Sequence, residues 1–427
     1  MDNMDPSELY KQSPPAFGHA VLKYFAFDPA YLNLNNGSYG ATPRPVLAAT
    51  DKLTLTIESN PDLFMRISLQ PQLIDVRRRL AQLIGADVDE VVLVPNASMG
   101  VNTVLRNFEW ETGDTLIGFN VTYGSVSKTI RNIGDVLPHP TTKEFVVNFP
   151  TTHAEIVANF KEFLAVNVAP EGKKTVVVLD SIVSNPGVRM PWKELVKICK
   201  SAGAWSVVDA AHSVGQETDI NLSEAQPDFW VSNCHKWLSA KRAVAILYVP
   251  KRNQHIVKTS IPTSHAYISP ADRTDENFVI QYEWNGTIDW APYLSAGHAL
   301  DFRNWLGGEH KINEYCHDLA LKGGKRLAEI LGTRVMDPDG ELTFNMTNVE
   351  LPLPGTLKPT PELDLKIKKK LLEEHNIYAA YFYHNHRWWT RVSAQIWVEL
   401  EDFERLGKVW STICDEIVKE QGLEKTS

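Results

Sequence analysis

The chain has 427 residues, of which 43% are hydrophobic and 22% are charged, and its formal net charge is −9. This length predicts two or three domains with a large buried core, and the composition excludes a disordered chain. The acidic balance argues against nucleic acid as a partner, because a phosphate backbone is bound by a basic protein face. No apolar run reaches the roughly 18 residues of a membrane helix, so we expect no membrane partner.

The amino terminus and the cysteines indicate the compartment. Residues 1–8 are acidic and contain no apolar segment of the kind found in signal peptides. The four cysteines, Cys199, Cys234, Cys316 and Cys414, form no C-x-x-C pair. A disulfide scaffold and a zinc ribbon are therefore disfavoured, and we expect a cytoplasmic protein.

The sequence pattern in the first two-thirds of the chain predicts an arm and a large domain. Prolines interrupt residues 1–35, which we expect to form an N-terminal arm with one aromatic segment, Tyr24–Phe27, that could dock on the rest of the protein. Over about 45–290 apolar strands alternate with helical stretches, so we place a large domain at 36–291. The predicted strands are 90–94, 114–119, 174–180, 205–209, 228–232 and 243–249, and the predicted helices include 71–84 and 192–202. This alternation, with β-branched runs typical of strands buried on both faces, predicts an α/β fold whose mostly parallel sheet is flanked by helices.

The pattern changes after residue 291. Helical stretches at 293–306 and 309–331 are followed by the segment Glu341-Leu-Thr-Phe-Asn345, a helix near 361–374, an aromatic segment, the segment at 391–398 and a closing helix from about 401. These mixed elements predict a smaller α+β domain over 292–427.

Motif searches exclude the common nucleotide and metal sites. The sequence has no G-x-G-x-x-G, no P-loop motif and no H-E-x-x-H, so the usual phosphate-cradling loops and zinc helix are missing. His384 and His386 form the one close histidine pair, which is more often a polar surface feature than a metal site. We therefore expect no metal.

A lysine and an aspartate at predicted strand ends point to a cofactor. Lys236 follows the strand at 228–232, where it is either a surface lysine with a buried stem or a nucleophilic amine that forms a Schiff base. Asp209 ends another strand and is either a helix N-cap or a group that faces the ligand-binding crevice of the sheet. Pyridoxal phosphate requires both groups, because a lysine holds its aldehyde and a carboxylate keeps its pyridine nitrogen protonated.

The strand at 90–94 leads into a candidate anion site. Pro95-Asn-Ala-Ser-Met-Gly100 opens a helix, and free N–H groups with the positive end of the helix dipole attract an anion there. Ala97, Ser98 and Met99 are therefore candidate phosphate ligands, although an ordinary helix cap would have the same pattern.

Taken together, these motifs resemble the class V aminotransferase family of fold type I pyridoxal-phosphate enzymes, and within it the isopenicillin-N-epimerase-like branch. In chain order, the resemblance is carried by Asn35-Asn-Gly-Ser-Tyr-Gly40, Pro95-Asn-Ala-Ser98, Tyr123-Gly124, Asp209-Ala-Ala-His-Ser-Val-Gly215, Asn233-Cys-His-Lys-Trp237, Trp284-Asn-Gly-Thr287 and Arg391-Val-Ser393. It implies pyridoxal 5′-phosphate as the cofactor, a small amino-acid substrate and a homodimer with active sites at the interface.

The resemblance also implies roles for individual residues. It places Lys236 on the cofactor aldehyde, Asp209 on the pyridine nitrogen and Tyr123 over the ring. The further cofactor ligands that it implies are Ala97, Ser98, Met99, Ser184, His212, Asn233, His235 and, from the partner subunit, Thr287. It implies Arg391 as the bidentate ligand of the substrate carboxylate and Asn36 as a second substrate ligand. Ordinary core histidines, a core tyrosine and solvated charges are the competing interpretations.

The sequence departs from the branch at two places. Ser239-Ala-Lys-Arg-Ala-Val244 stands where the branch usually has a proline and glycines. In Ser184-Asn-Pro-Gly187 both Ser184 and Asn185 are candidates for a contact with the ring hydroxyl, and the sequence does not choose between them.

The segment before Arg391 bears on the reaction. Cysteine desulfurases of the family carry a cysteine there, whereas residues 378–389 contain none. The aromatic residues clustered in 381–389 either pack as an ordinary hydrophobic strand or bind a quaternary ammonium through cation–π contacts. Under the second interpretation the chain resembles the fungal hercynylcysteine sulfoxide lyases of ergothioneine biosynthesis, and Tyr383 is a candidate substrate ligand.

We therefore predict a carbon–sulfur β-lyase that converts a cysteine S-conjugate sulfoxide into a sulfenic acid, pyruvate and ammonia. Lys236 would be the base and Tyr123 the general acid. An epimerase, an aminotransferase or a cysteine desulfurase-like enzyme on the same scaffold remain alternatives, as does a non-catalytic binding protein that keeps the fold.

Overall fold

The computed structural model describes residues 6–269, 271–272 and 277–422, so the first five residues of the predicted arm lie outside it. The strands are β1 (Leu32–Asn33), β2 (Val91–Val94), β3 (Thr115–Phe119), β4 (Thr141–Phe145), β5 (Thr175–Asp180), β6 (Trp205–Asp209), β7 (Phe229–Asn233), β8 (Ala245–Tyr248), β9 (Met346–Glu350), β10 (Ile377–Tyr378), β11 (Ala380–His384) and β12 (Arg387–Ser393).

The α-helices are α1 (Pro6–Leu9), α2 (Asn36–Tyr39), α3 (Arg44–Ser59), α4 (Pro61–Leu63), α5 (Leu69–Ile84), α6 (Ala97–Asn107), α7 (Gly124–Asp135), α8 (His153–Asn167), α9 (Trp192–Ser201), α10 (Leu222–Ala225), α11 (Phe278–Glu283), α12 (Ala291–Trp305), α13 (Gly308–Leu331), α14 (Pro361–Lys369) and α15 (Leu400–Glu420). Short 3₁₀ segments (His19–Tyr24, Val88–Glu90, Lys251–Asn253) and π-helical segments (Phe64–Ser68, Lys370–Glu374) complete them. Within the described residues no helix is both long and apolar enough to cross a membrane.

Seven strands form the central sheet in the order β2-β8-β7-β6-β5-β3-β4. β8 runs antiparallel to both of its neighbours, whereas the pairs from β7 to β4 are all parallel. Because the carboxyl ends of parallel strands meet at one edge of a sheet, the residues that follow β3, β5, β6 and β7 are brought together there. The predicted α/β fold with a mostly parallel sheet is confirmed.

Burial explains which strands the sequence predicts. Every residue of β5 is buried, and successive residues alternate between two apolar cores, with Val177 and Leu179 in one and Val176 and Val178 in the other. This two-sided burial is what continuous β-branched runs indicate. Edge strand β4 was not predicted, because Phe145 is the one buried residue in it and no apolar run marks it.

The C-terminal part is built on a second sheet. β11, β12 and β9 form an antiparallel sheet in that order, and α13 packs against β9 and α15. β1 pairs in parallel with β10, and the ring of Phe25 in the predicted docking segment lies 4.4 Å from that of Trp397. The N-terminal segment is thus held by the C-terminal part, while α12 packs on α3 and α5.

The segment at 341–345 is a turn that leads into a strand beginning only at Met346. The carboxylate of Asp337 accepts hydrogen bonds from the N–H groups of Gly340 and Leu342 and from the hydroxyl of Thr343. These bonds satisfy the backbone locally, so the segment does not need a neighbouring strand.

Arg303 of α12 is buried and fixes the backbone that follows β6 and β7. Its Nη1 donates to the carbonyl of Trp237 at 2.8 Å, and its Nη2 donates to the carbonyl of Gly215 at 2.9 Å. Glu309 supplies the counter-charge, with an Nη2–Oε2 distance of 2.6 Å. A Cβ atom on Gly215, whose φ is +85°, would lie 2.5 Å from the amide nitrogen of Leu238. This close approach requires glycine and lets one arginine join both loops.

Replacing this arginine should destabilise the protein. Arg303→Met leaves two backbone carbonyls and the Glu309 carboxylate without their donor, so the free energy of unfolding should fall by about 3 kcal/mol. Arg326→Met, which breaks a more exposed ion pair with Glu404, is the matched control and should lower it by at most about 1 kcal/mol. Urea denaturation followed by tryptophan fluorescence measures both values, and equal losses would contradict the structural role of Arg303.

Candidate active site

The carboxyl ends of the central strands surround a cavity of about 490 Å³. β5 ends in Asp180, β6 ends in Asp209, and Lys236 lies just beyond β7. The other lining residues are Ser38, Tyr39, Asn96, Ala97, Ser98, Tyr123, Ile182, Ser184, Asn185, Ala211, His212, Asn233 and His235. The cavity therefore lies at the sheet edge where parallel α/β sheets bind their ligands.

Lys236 is half-buried and faces this cavity, with its Nζ 3.0 Å from Nε2 of His212. Burial is the main cause that lowers the pKa of Lys236 to about 8. The positive charge of Arg391 acts in the same direction, and the carboxylate of Asp209 opposes it. At pH 7 about one-tenth of the amine is therefore unprotonated, far more than for a free lysine, and this form is both a nucleophile and a base.

The ring of His212 has a defined tautomer. The indole N–H of Trp237 can only donate, and it donates to Nδ1 of His212 at 3.2 Å. Burial, together with the charges of Lys236 and Arg391, lowers the pKa of His212 well below its ordinary value, so the ring is neutral. The single ring proton therefore resides on Nε2, and His212 presents a hydrogen-bond donor to the cavity and to the unprotonated form of the lysine amine.

Asp180 and Asp209 are register partners at the ends of β5 and β6, and both are buried. Burial raises the pKa of Asp209, and burial with the negative charge of Asp209 raises the pKa of Asp180. Asp209 Oδ1 accepts from the N–H of Ala211 at 3.1 Å, and the hydroxyl of Thr122 donates to Asp180 Oδ2 at 2.9 Å. Because two adjacent buried carboxyl groups do not both ionise without a cation, the pair matches a positively charged ligand group.

The amino end of α6 offers one free donor. Ala97 donates its N–H to Asn233 Oδ1, and Met99 donates its N–H to Asn96 Oδ1, both at 2.9 Å. The N–H of Ser98, which lines the cavity, has no acceptor among the described residues. The assignment of Met99 as a phosphate ligand is therefore not supported by its position, because the Asn96 cap occupies its N–H, and Ser98 is the better candidate.

These groups fit pyridoxal phosphate. Nδ1 of His235 is buried without a hydrogen-bond partner in the described part of the chain, and burial lowers the pKa of His235 to about 4. This ring and the N–H of Ser98 could hold a phosphate. Asp209 matches a protonated pyridine nitrogen, the Nε2–H of His212 matches the ring hydroxyl, and the amine of Lys236 matches the aldehyde. The donor set therefore supports the cofactor that the sequence predicts.

Arg391 is buried, and no carboxylate of the described residues lies within ion-pair distance of it. Its Nη1 donates to the carbonyl of Ser184 at 2.6 Å, and its Nη2 donates to Asn35 Oδ1 and Ser38 Oγ, both at 2.9 Å. A Cβ atom on Gly187 would lie 2.7 Å from Arg391 Cδ, so glycine makes room for this side chain. A buried cation whose hydrogen-bond partners are all neutral is suited to bind an anionic group of a ligand, such as a substrate carboxylate.

Arg391 contacts lining residues without lining the cavity itself, whereas three other predicted site residues do line it. Tyr123 is 49% exposed and stands at the start of α7, directly after Thr122, which contacts the Asp180 carboxyl. Ser184 and Asn185 both lie in the cavity wall. The structure therefore keeps both as candidates for a contact with the ring hydroxyl.

Asn36 and Thr287 lie outside the cavity lining. Asn36 is buried, and its Nδ2 donates to the backbone carbonyl of Lys236 at 3.3 Å. It therefore supports the lysine backbone from behind the cavity, with its Oδ1 left without a partner among the described residues. Thr287 is exposed and does not line the cavity, so it would not contact a cofactor bound in the cavity of its own chain.

The aromatic segment packs within a hairpin and does not line the cavity. The indole groups of Trp388 and Trp389 are buried, and they donate to the carbonyls of Leu357 and His384. Tyr383 donates its hydroxyl hydrogen to a main-chain carbonyl at 2.6 Å. The position of Tyr383 therefore does not support its assignment as a substrate ligand, because β11 and β12 use these rings for packing.

The cavity wall contains no thiol. All four cysteines are buried and none of them lines the cavity. Burial raises the pKa of Cys234 to about 12, although it is only two residues from Lys236. In the part of the chain that the structure describes, no three or more histidine, cysteine or acidic side chains are grouped to hold a metal ion. The chemistry therefore depends on the amine, the carboxyl groups and His212.

Sequence reasoning missed three contributors to the site. Asp180 could have been found, because it ends the predicted strand at 174–180 as Asp209 ends its own strand. The contact of Trp237 with His212 is tertiary and leaves no local pattern. Tyr39 was included in a motif without a role, although it is 69% exposed at the cavity mouth.

Comparisons with known proteins agree with this arrangement. The family model described as Aminotransferase class-V matches residues 33–354. The chain is 35% identical to the L-cysteine desulfhydrase-like protein lolT1 of Epichloe uncinata, over 95% of this chain and 97% of that protein. It is 28% identical to the hercynylcysteine sulfoxide lyase of Schizosaccharomyces pombe, over 93% of this chain and 98% of that protein. The cysteine desulfurase of Thermococcus onnurineus NA1 has a similar fold, with a TM-score of 0.72 at 19% identity, over 95% of this chain and 100% of that chain.

The lowered pKa of Lys236 should be visible in cofactor binding. The unprotonated amine is the reactive form, so the rate at which the apoprotein incorporates pyridoxal phosphate should rise through pH 8 and level off above it. Arg391→Met removes a cation that lowers this pKa, so the midpoint should move to higher pH, whereas Arg391→Lys should keep it near pH 8. Stopped-flow absorbance measures these rates, and identical midpoints in the two variants would contradict the electrostatic role of Arg391.

Trp237→Phe should release the tautomer of His212. Loss of one hydrogen bond should raise the population of the Nδ1–H tautomer by up to about tenfold. ¹⁵N spectra of the histidine rings of the apoprotein report the protonated nitrogen directly, with His212→Gln used to assign the signal. Trp389→Phe, which removes an indole donor far along the chain, is the control. An unchanged His212 signal in Trp237→Phe would mean that the indole does not set the tautomer.

Proposed function

The chain belongs to the class V aminotransferase family of pyridoxal-phosphate enzymes, and we propose that it is a carbon–sulfur β-lyase that cleaves a cysteine S-conjugate sulfoxide. The products are a sulfenic acid, pyruvate and ammonia. The observation that carries this proposal is a buried Arg391 that has no carboxylate partner among the residues that the structure describes. Its charge also helps to lower the pKa of the Lys236 amine to about 8. We infer hercynylcysteine sulfoxide as the substrate, because the similar protein of Schizosaccharomyces pombe is named for it.

Different residues bind the substrate and remove its proton. Arg391 binds the substrate carboxylate through its guanidinium fork, which its neutral neighbours leave without a counter-charge. When bound, pyridoxal phosphate withdraws electrons from the α-carbon of the substrate. Asp209 keeps the pyridine nitrogen protonated, and the amine of Lys236 removes the α-proton. His212 donates a hydrogen bond from Nε2 and so orients the group that accepts it.

Bond cleavage follows from the loss of that proton. The electron pair released at the α-carbon forms the α–β double bond as the bond from the β-carbon to sulfur breaks. Sulfur leaves with its electron pair and takes a proton from Tyr123, whose ring stands at the cavity wall. Water then hydrolyses the three-carbon enamine to pyruvate and ammonia. The phenol of Tyr123 regains its proton from solvent, because the residue is half exposed.

The placement of the cysteines favours direct elimination over desulfuration. A persulfide-forming desulfurase needs a thiolate that reaches the substrate sulfur. Here the four cysteines are buried outside the cavity wall. An enzyme without such a thiolate releases the sulfur fragment instead of retaining it.

The exposed Thr287 supports a homodimer. It lies outside the cavity of its own chain, and we infer that it reaches the cofactor phosphate in the partner subunit, as the resemblance implies. The active sites would then lie at the interface. We also propose that the protein is cytoplasmic.

A second candidate substrate is free L-cysteine. The relative from Epichloe uncinata, which is 35% identical over nearly the full length, is named L-cysteine desulfhydrase-like. The same residues would then eliminate hydrogen sulfide in place of a sulfenic acid. The two candidates share the proton removal by Lys236 and differ in what occupies the space beyond the β-carbon.

A product assay separates these possibilities. Purified enzyme loaded with pyridoxal phosphate should release pyruvate from hercynylcysteine sulfoxide with a kcat/KM at least tenfold above that for L-cysteine, and Lys236→Ala should release none. Tyr123→Phe should lower kcat for the sulfoxide by about 10²-fold, the lower range for loss of a general acid.

Each rival gives a different product. Racemised substrate without pyruvate would replace the lyase by an epimerase, and a transaminated product would replace it by an aminotransferase. Pyruvate and sulfide from L-cysteine alone would establish the desulfhydrase. A protein that binds no pyridoxal phosphate would leave only a non-catalytic role.

A further inference from the structure

A second cavity, of about 670 Å³, lies beside the first. It is bounded by the N-terminal segment, the loop that follows Lys236, helix α14 and strand β10. Its lining residues are Phe25, Ala26, Phe27, Tyr31, Asn33, Asn35, Tyr39, Gly40, Ala41, Thr42, Leu47, Lys241, Arg242, Lys368, Leu372 and Tyr378. None of the residues discussed above as cofactor ligands is among them, so this space is outside the cofactor site.

Two residues connect this cavity to the candidate active site. Tyr39 lines both cavities and is 69% exposed between them. Asn35 lines the second cavity, while its Oδ1 accepts from Nη2 of Arg391 at 2.9 Å. A molecule whose carboxylate is bound by Arg391 therefore has the second cavity directly beside it.

The lining combines aromatic rings with positive charge. Phe27, Tyr31, Tyr39 and Tyr378 provide ring faces, and no aspartate or glutamate is among the lining residues. A cavity of this kind favours a ligand with an apolar body and a negative group.

The three cations that line the cavity differ in whether a carboxylate is paired with them. Lys368 is already paired with Asp364 on its own helix, at 2.6 Å. Lys241 and Arg242 have no carboxylate partner among the described residues; Arg242 donates one hydrogen bond, from Nη2 to the carbonyl of Gly40 at 3.3 Å. Two unbalanced cations on one loop therefore face the cavity.

Size gives an independent reason to use this space. The first cavity must hold the cofactor and the cysteine part of a substrate, and its volume of about 490 Å³ is in the lower half of the range of roughly 300–1,000 Å³ for small-molecule sites. A large group on the substrate sulfur must extend beyond it. The mouth at Tyr39 leads to the second cavity.

We propose that the second cavity is the subsite for the distal half of the substrate, and that it selects conjugates whose distal half carries a carboxylate on an apolar or aromatic body. Lys241 and Arg242 bind that carboxylate, and the tyrosine and phenylalanine rings cover the body. This inference rests on the proposed cleavage of a cysteine conjugate in the neighbouring cavity. A distal half with positive charge alone is disfavoured, because it meets two like charges.

The test compares two substrates of the same shape. These are the sulfoxides of S-(4-carboxybenzyl)-L-cysteine and S-(4-carbamoylbenzyl)-L-cysteine, which differ in the charge of the distal group. In the cofactor-loaded enzyme, the ratio of kcat/KM for the acid to that for the amide should be well above one. Lys241→Gln and Arg242→Gln should each lower this ratio about tenfold, the effect expected of one charge-assisted hydrogen bond. Lys369→Gln, an exposed lysine on α14 outside the cavity, should not change it.

A binding measurement keeps the subsite and the lyase separable. Calorimetry on cofactor-loaded Lys236→Ala should give the same preference for the acid over the amide, and Lys241→Gln in that background should reduce it. If this preference is present but no conjugate yields pyruvate, the subsite stands and the proposed lyase fails. If pyruvate forms with equal kcat/KM for acid and amide, the lyase stands and the subsite fails. Sedimentation that shows Lys241→Gln converting a dimer to monomers would make the cavity a subunit contact and overturn the subsite.

Discussion

The site depends on one constraint, an amine that is enclosed by protein and whose pKa lies well below that of a free lysine. Enclosure disfavours the ammonium form of Lys236, and the nearby guanidinium of Arg391 disfavours it further. Asp209 alone among the named causes favours the charged form. Since the same Arg391 is the candidate ligand for a substrate carboxylate, binding that carboxylate would neutralise it and raise the basicity of Lys236 when a proton is to be removed.

The fold supplies the rigidity that this constraint requires. Parallel strands bring Asp180, Asp209 and Lys236 to one edge of the sheet. Behind that edge, Arg303 ties the backbone after both β6 and β7 to α12. Trp237, the residue next to the lysine, fixes the ring of His212 through one hydrogen bond. The side chains that face the cavity are therefore oriented by neighbours that do not touch a ligand.

The proposed basis of substrate selection differs from the one that the aromatic clustering in the sequence suggests. The aromatic residues of β11 and β12 are packed in a hairpin, whereas rings that face open space come from the N-terminal segment, Tyr39 and β10. Aromatic clustering along the sequence could not distinguish these sets, because a buried strand and a ligand cage use the same residue types. The cations Lys241 and Arg242 lie in Ser239–Val244, the segment that does not match the resemblance to the branch, so this mismatch coincides with the proposed specificity.

Local sequence was sufficient for the buried strands of the central sheet, though not for edge strand β4, and for the chemical identity of the strand ends. The β-branched run that forms β5 and the positions of Asp209 and Lys236 after buried strands predicted the α/β fold and the cofactor, since burial on both faces and strand-end polarity are properties of short segments. Tertiary structure alone decided which donors remain available: the N–H of Ala97 is occupied by Asn233, and the amide of Asn36 is occupied by the backbone carbonyl of Lys236. These outcomes depend on contacts between segments that are distant along the chain, and hydrogen-bond competition between such segments has no periodicity that a sequence can display.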